Sequence, residues 1–514
     1  MRCGRSARRF CFNANAYEAS LLRKTLRRNP IMDHNKSMVI AQGTDASTMD
    51  PYAHSETTTA NILLQVYDGL VRRNPSMDIE PWLAESWEVI TDTVIEFRLR
   101  PSVTFHNGEK MNASTVKFSL ERMVDPHREP KFPPYGRFNS IDHVEIVDDL
   151  TVRVVTNRPD PNLLAQLTGL MMIPPQYIAE HGEEHFSRVP NGTGPFKFVS
   201  WDKPNGVVEL TANNDYWHGS PSVQKLTFRA VPEGSDRVQG LQNGTIHLAA
   251  NFPPLAREEV EANPELSVVG TPSVGVIYMG INTHHPILKN KKLRQAMAHA
   301  INVREIIQKE LSGCGSALAG PVYPQAFGVD PTLPPIAYDL ERAKQLMAGA
   351  GYPDGVDVKL EVPDGRFTQD KEIGLRIGRQ LEKIGVRLHV NIQPWPQFIS
   401  RFRHHEYDQM YYVGWGNSTF DPDEVYRNAY IAPNPWNPTD YHNDDMADMV
   451  LEASHILDSE RRNELYRMAC LIFRDELPWI PLFQQFDLYG LSNKWNWQPR
   501  MDEYIYVCDV TAAE

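Results

Sequence analysis

Between residues 373 and 392 the apolar pattern changes period without a gap, and that switch constrains the fold more than any other feature of this sequence. Ile373, Ile377, Leu381 and Ile384 recur at helical spacing and stop at Gly385, a residue suited to the left-handed conformation that closes a helix. Val386, Leu388, Val390 and Ile392 then alternate with Arg387, His389 and Asn391, the two-residue period of a strand. A helix feeding directly into a strand is a unit of α/β architecture. Both periods recur: Ile95, Phe97 and Leu99, like Val208, Leu210 and Ala212, alternate as strands, and Val116, Leu120 and Met123 form a helical stripe. Helices are also predicted over 293–307, 340–347 and 465–472.

A chain of 514 residues exceeds one hydrophobic core, and about 100–200 residues per domain predicts two to four domains or lobes. Proline and glycine clusters at 132–136, 190–195, 331–335 and 433–438 read as turns or lobe junctions. No repeat at a solenoid period is present, and no run approaches the roughly 18 apolar residues of a membrane helix. The net charge of −13 is uneven, because eight of the first thirty residues are basic and one, Glu18, is acidic. The remainder is strongly acidic, which argues against nucleic acid or an anionic membrane as the main partner. The basic leader has no apolar middle of a signal peptide, so a start placed elsewhere is expected, with a disordered leader as the alternative. Cys3, Cys11, Cys314, Cys470 and Cys508 show no metal or redox spacing.

His181, Glu184 and His185 fit H-x-x-E-H, which on one helix face would put two imidazoles on a zinc ion with a carboxylate beside its water. Gly182 weakens the helix where rigid ligand geometry is required, so a solvated helix end is the preferred reading and a zinc peptidase the alternative. The pairs His284-His285 and His404-His405 diverge as neighbours and form no chelate alone. Gly192-Thr193-Gly194 resembles a phosphate loop, but Pro195 has no amide proton for an anion, and a tight turn is expected.

The block Leu83 to Trp87, the strand Glu96 to Arg100, Val103 to Glu109 and the helix Val116 to Met123 together resemble the signature of the family 5 bacterial extracellular solute-binding proteins. Gly192 to Phe196, Asn214 to Trp217, Tyr278 to Asn282, Leu293 to Ala296 and Tyr338 to Ala343 continue the resemblance in order, so that it covers about residues 37–514. It implies a two-lobed periplasmic-binding-protein fold (type II, large peptide-binding cluster) with an extra subdomain on the first lobe. The implied layout is a leader over 1–37, a first lobe of 38–71, 192–272 and 481–514, the subdomain over 72–191 and a second lobe over 273–480. The hinge is expected near Tyr278–Asn282 and Trp479–Leu482.

The resemblance further implies a non-enzymatic, monomeric, periplasmic component of an ABC importer that needs no cofactor or metal. Its partners would be a small solute or short peptide and the permease subunits. Arg366 falls where relatives pair an arginine with the ligand carboxylate, a role its bidentate fork suits. Relatives hold a peptide ammonium with an aspartate three residues after a tryptophan; here Trp415 is present and Ser418 takes the acid's place, with Asp421 in the following Asp-Pro turn. A hydroxyl does not replace a buried carboxylate as a counter-charge, so free-amine binding through that position is not expected. Trp415 is expected as a cleft wall, Tyr135 as part of a lid, and Thr48 and Asp50 as contacts after the first strand, with turn capping the alternative at Asp50. A sensor or scaffold that presents solute without transport is the remaining reading.

Overall fold

The computed structural model describes residues 36–417, 419–431, 434 and 436–513. The basic leader therefore lies almost wholly outside the described residues, as does Ser418. Strand Val94–Leu99 and strand Val207–Ala212 form where the alternation predicts them. Helix Ala113–Met123 carries the predicted stripe and opens on a capping box, in which Asn112 Oδ1 accepts from the Thr115 amide at 3.2 Å and Thr115 Oγ1 accepts from the Asn112 amide at 3.3 Å. Helix Asp370–Leu381 ends in a short turn closed by Gly385 at φ 81°, and strand Val386–Pro394 follows at once.

One eleven-stranded sheet runs through the molecule. Its first half places strand Ser37–Gln42 between parallel neighbours Lys225–Ala230 and Leu248–Ala249, and its second half pairs Val356–Asp364 in parallel with Val386–Pro394 and Met410–Gly416. Two long antiparallel strands, Leu266–Ile281 and Trp479–Ser492, join the halves. A separate four-stranded antiparallel sheet, with Ala84–Thr91 and Ile141–Asp148 at its edges, packs beneath helix Ala113–Met123. The core divides accordingly. Ile40, Phe228, Phe97 and Val152 share one cluster, whereas the second half of the sheet is covered by Leu293, Ile373 and Ile377 in one cluster and Tyr278, Phe402 and Trp479 in another. Each such burial contributes about 1.5–3 kcal/mol. The result is a mixed α/β architecture with separate cores on the two halves of one sheet.

One expectation needs correction. The predicted helix over 293–307 is two helices, Lys291–Ala300 and Val303–Glu310, because Asn302 leaves helical geometry and caps the second by accepting from the Glu305 amide at 3.1 Å. The two crossing strands carry two register shifts. One falls between Ile277 and Tyr278, opposite Phe483 and Pro481, beside the expected hinge; the other falls between Pro272 and Val276, opposite Gln484 to Phe486.

Candidate functional site

Strand Met410–Gly416 delivers Trp415 to the mouth of a cavity of about 940 Å³. Two further segments complete this wall. Helix Trp395–Arg403 brings Trp395, Phe402 and Arg403, and the turn after strand Val356–Asp364 brings Arg366 and Phe367. The turn is held from below by Asp370, whose buried carboxylate accepts from the amides of Gly365, Arg366, Phe367 and Lys371 at 3.0–3.2 Å. Gly414 is required here, since a Cβ would collide with the Phe367 ring.

The rings form one connected floor. Phe367 meets Trp395 edge-on with centroids 6.1 Å apart, and Trp436 meets Trp415 at 5.9 Å and Phe402 at 6.4 Å. An arginine lies over each end: the Arg366 guanidinium is 5.3 Å from the Trp395 centroid, and that of Arg403 is 5.0 Å from Trp436. Among the described residues neither makes an ion pair. The walls around Arg366 partly shield it from water and lower its pKa, against the attraction of Glu503 and Asp370.

The facing wall comes from residues 133–166, with Arg137, Arg158 and Gln166 lining the cavity. The walls touch where Arg137 pairs with Glu424 at 3.4 Å. Arg73 also reaches over, donating to the Thr419 carbonyl at 2.6 Å. Deeper in, the cleft continues into a space of about 320 Å³ that shares Arg137, Gln166, Gly416 and Thr419 with the larger cavity and is lined by Thr57, Val274 and Glu503. Glu503 has φ 65°, a left-handed conformation uncommon outside glycine. Burial raises its carboxyl pKa, while hydrogen bonds from Ser273 and Thr57 oppose the shift.

The remaining predicted residues are used differently. Asp50 turns inward: it accepts from Arg122 at 2.6 and 3.3 Å and caps its own turn through the Tyr52 amide, so it contributes to the scaffold rather than to the cavity. Thr48 Oγ1 supports that turn by accepting from the Asp50 amide at 3.1 Å. Asp421 is likewise committed, to Arg462 at 2.7 Å and to the Asp423 amide at 3.0 Å. Tyr135 begins the helical turn Tyr135–Phe138 but lies under Lys131, while its neighbours Pro133, Gly136 and Arg137 line the cavity. The structure thus brings Trp415 and Arg366 together and leaves Asp50, Thr48, Asp421 and Tyr135 off the cavity lining.

The zinc-like motif is broken by Gly182 at φ 83°, which ends helix Pro175–His181 before Glu184 and His185. Glu184 pairs with Arg188 at 3.1 Å, and the His185 ring meets the Tyr177 hydroxyl at 3.0 Å. No group of three or more metal-capable side chains occurs among the described residues. In the phosphate-loop look-alike the amides of Gly194 and Phe196 donate to the carbonyls of Val66 and Gln65, which leaves them unavailable to an anion.

Comparison with known proteins agrees with this geometry. The family model described as bacterial extracellular solute-binding proteins, family 5 Middle, matches residues 78–437. Heme-binding protein A of Haemophilus influenzae is 30% identical over 472 residues, covering 86% of this chain and 84% of the relative. The glutathione-binding protein GsiB of Escherichia coli is 28% identical over 461 residues, covering 87% and 88%. The solved structure of HbpA2 from Haemophilus parasuis superposes with a TM-score of 0.83 at 27% identity, covering 93% of this chain and all of that one.

Proposed function

The chain belongs to the bacterial extracellular solute-binding proteins, family 5, and on that footing we propose that it captures a carboxylate-bearing solute between its walls and delivers it to the permease of an ABC importer. The observation that carries this reading is Arg366: a guanidinium facing a cavity of about 940 Å³, on a turn whose backbone amides Asp370 holds, and without an ionic partner among the described residues. A partly desolvated arginine that lacks a counter-charge favours an incoming carboxylate, which it binds through two parallel hydrogen bonds. The rings of Trp395, Phe402, Trp415 and Trp436 offer apolar area for the rest of the solute, and the size suits something bulkier than a single amino acid. Glutathione, for which one relative is named, and short peptides, which share its carboxylates, are the first solutes to test. Capture and release require no bond to be made or broken, so the reading is of a carrier rather than an enzyme.

We assign the lobes as 38–71, 192–272 and 481–514 against 273–480, with 72–191 as the subdomain. We place the hinge in the two crossing strands, whose register shifts at 272–276 and 277–278 support this reading. A periplasmic, monomeric state follows from this role.

The test is calorimetric titration with dipeptides and glutathione beside their C-terminally amidated forms. Binding should require the free carboxylate and should be lost in Arg366→Ala. Equal binding of the amidated forms would contradict the reading.

A further inference from the structure

At the inner end of the cleft lies a charge that the carboxylate anchor does not use. Glu503 lines the 320 Å³ extension, where its Oε1 accepts from Ser273 Oγ at 2.8 Å and its Oε2 from Thr57 Oγ1 at 3.5 Å. Next to it is a second carboxyl, Asp487, on the long strand Trp479–Ser492 beside the bulge. Asp487 Oδ2 is buried and has no hydrogen-bond partner. Ser273 has one hydroxyl proton, and Glu503 receives it.

Among the described residues, no lysine or arginine pairs with either acid. The adjacent acid in the chain, Asp502, shows what a structural carboxylate looks like here, since Arg500 forks onto it at 2.6 and 3.0 Å. The arginines lining the same extension are occupied: Arg73 by the carbonyls of Met77 and Thr419, Arg137 by Glu424. Arg366 feels Glu503 electrostatically, yet the two do not touch. A basic and an acidic side chain therefore line connected parts of one cleft.

Two adjacent buried carboxyls with no cation are costly as anions, and burial raises the pKa of both. A positively charged group with N–H donors in the extension would meet Glu503 directly and relieve the repulsion it feels from Asp487.

We propose that Glu503, backed by Asp487, is the subsite for a cationic group of the solute, an ammonium or guanidinium, so that the cleft takes a zwitterion with its carboxylate on Arg366. The inference rests on the Arg366 reading. It supplies from the C-terminal segment the counter-charge that the sequence lacks at Ser418.

The test titrates glutathione and alanyl-phenylalanine, each as the free amine and as its N-acetyl derivative, into the full chain and its Glu503→Gln variant. A free-amine probe that binds the wild type should bind Glu503→Gln about tenfold or more weakly, while its acetylated form changes less than about twofold. Asp487→Asn should weaken the same probe in the same direction. Unchanged free-amine binding in Glu503→Gln, or acetylated probes binding the wild type as tightly as free amines, would overturn the subsite and leave the Arg366 reading standing. Failure of every carboxylate-bearing probe to bind the wild type would overturn both. Glu503→Asp, which keeps the charge, replaces Glu503→Gln if the latter does not fold, and should show an intermediate loss; no loss would overturn the subsite.

Discussion

Two sets of arginines in this molecule make a contrast. Behind the cleft walls Arg122, Arg462 and Arg500 are buried and each donates to an aspartate, Asp50, Asp421 and Asp502, at 2.6–2.7 Å. On the cleft wall Arg366 and Arg403 lie over tryptophans and make no ion pair among the described residues. The difference follows from solvation. A guanidinium in the interior needs carboxylate or carbonyl acceptors to offset the loss of water, whereas one facing a wet cavity can remain without a partner until a solute provides one. Arg122, Arg462 and Arg500 hold the walls; Arg366 and Arg403 face what the walls enclose.

The largest effect should come from breaking a scaffold pair. Arg462→Ala leaves Asp421 charged and buried, and should lower unfolding stability by about 3–5 kcal/mol in denaturant titration, with solute affinity of the folded protein little changed. The cleft arginine should behave in the opposite way. Arg366→Ala should weaken a carboxylate solute by about a hundredfold in calorimetry, while solute-free stability shifts by no more than about 0.5 kcal/mol.

A smaller effect sharpens the contrast through pH. Glu503 and Asp487 have folded-state pKa values above their unfolded ones. Their contribution is present in full below the ordinary carboxylate range and is lost as pH rises through the raised values. Glu503→Gln removes part of that loss, so thermal melts at neutral pH should show the variant gaining on the wild type relative to melts at pH 4. Last, the exposed cross-cleft pair of Arg137 and Glu424 should matter least. Glu424→Gln should change solute affinity by less than about 1 kcal/mol, an effect that fades as salt is added.

What was legible in the sequence was local. The helix–strand unit at 370–394 and the capping box at Asn112 are fixed by residues a few positions apart, and both form as the pattern predicts. Arg366 and Trp415 reach the cavity because the resemblance carried their positions. The misplacements were long-range. Asp50 and Asp421 read as turn acids near the site, but their partners Arg122 and Arg462 lie 72 and 41 residues away, beyond any local signal. Glu503 was invisible for the same reason, since Ser273 and Thr57 are 230 and 446 residues distant. The aromatic helix face was within reach: Trp395, Phe398, Ile399 and Phe402 have helical spacing, although the pattern alone does not separate a cleft wall from core. Asp370 also had a signal, an acid at the start of a helix just after a Gly-Arg-Phe turn.

The central claim is that the cleft holds a carboxylate-bearing solute on Arg366, and mass spectrometry of whatever is released on denaturing the purified protein tests it most directly. The wild type should release about one equivalent of a carboxylate-containing small molecule, and Arg366→Ala, folded and treated identically, should release little or none of it. A released solute without a carboxylate, or one retained equally by Arg366→Ala, would contradict the account.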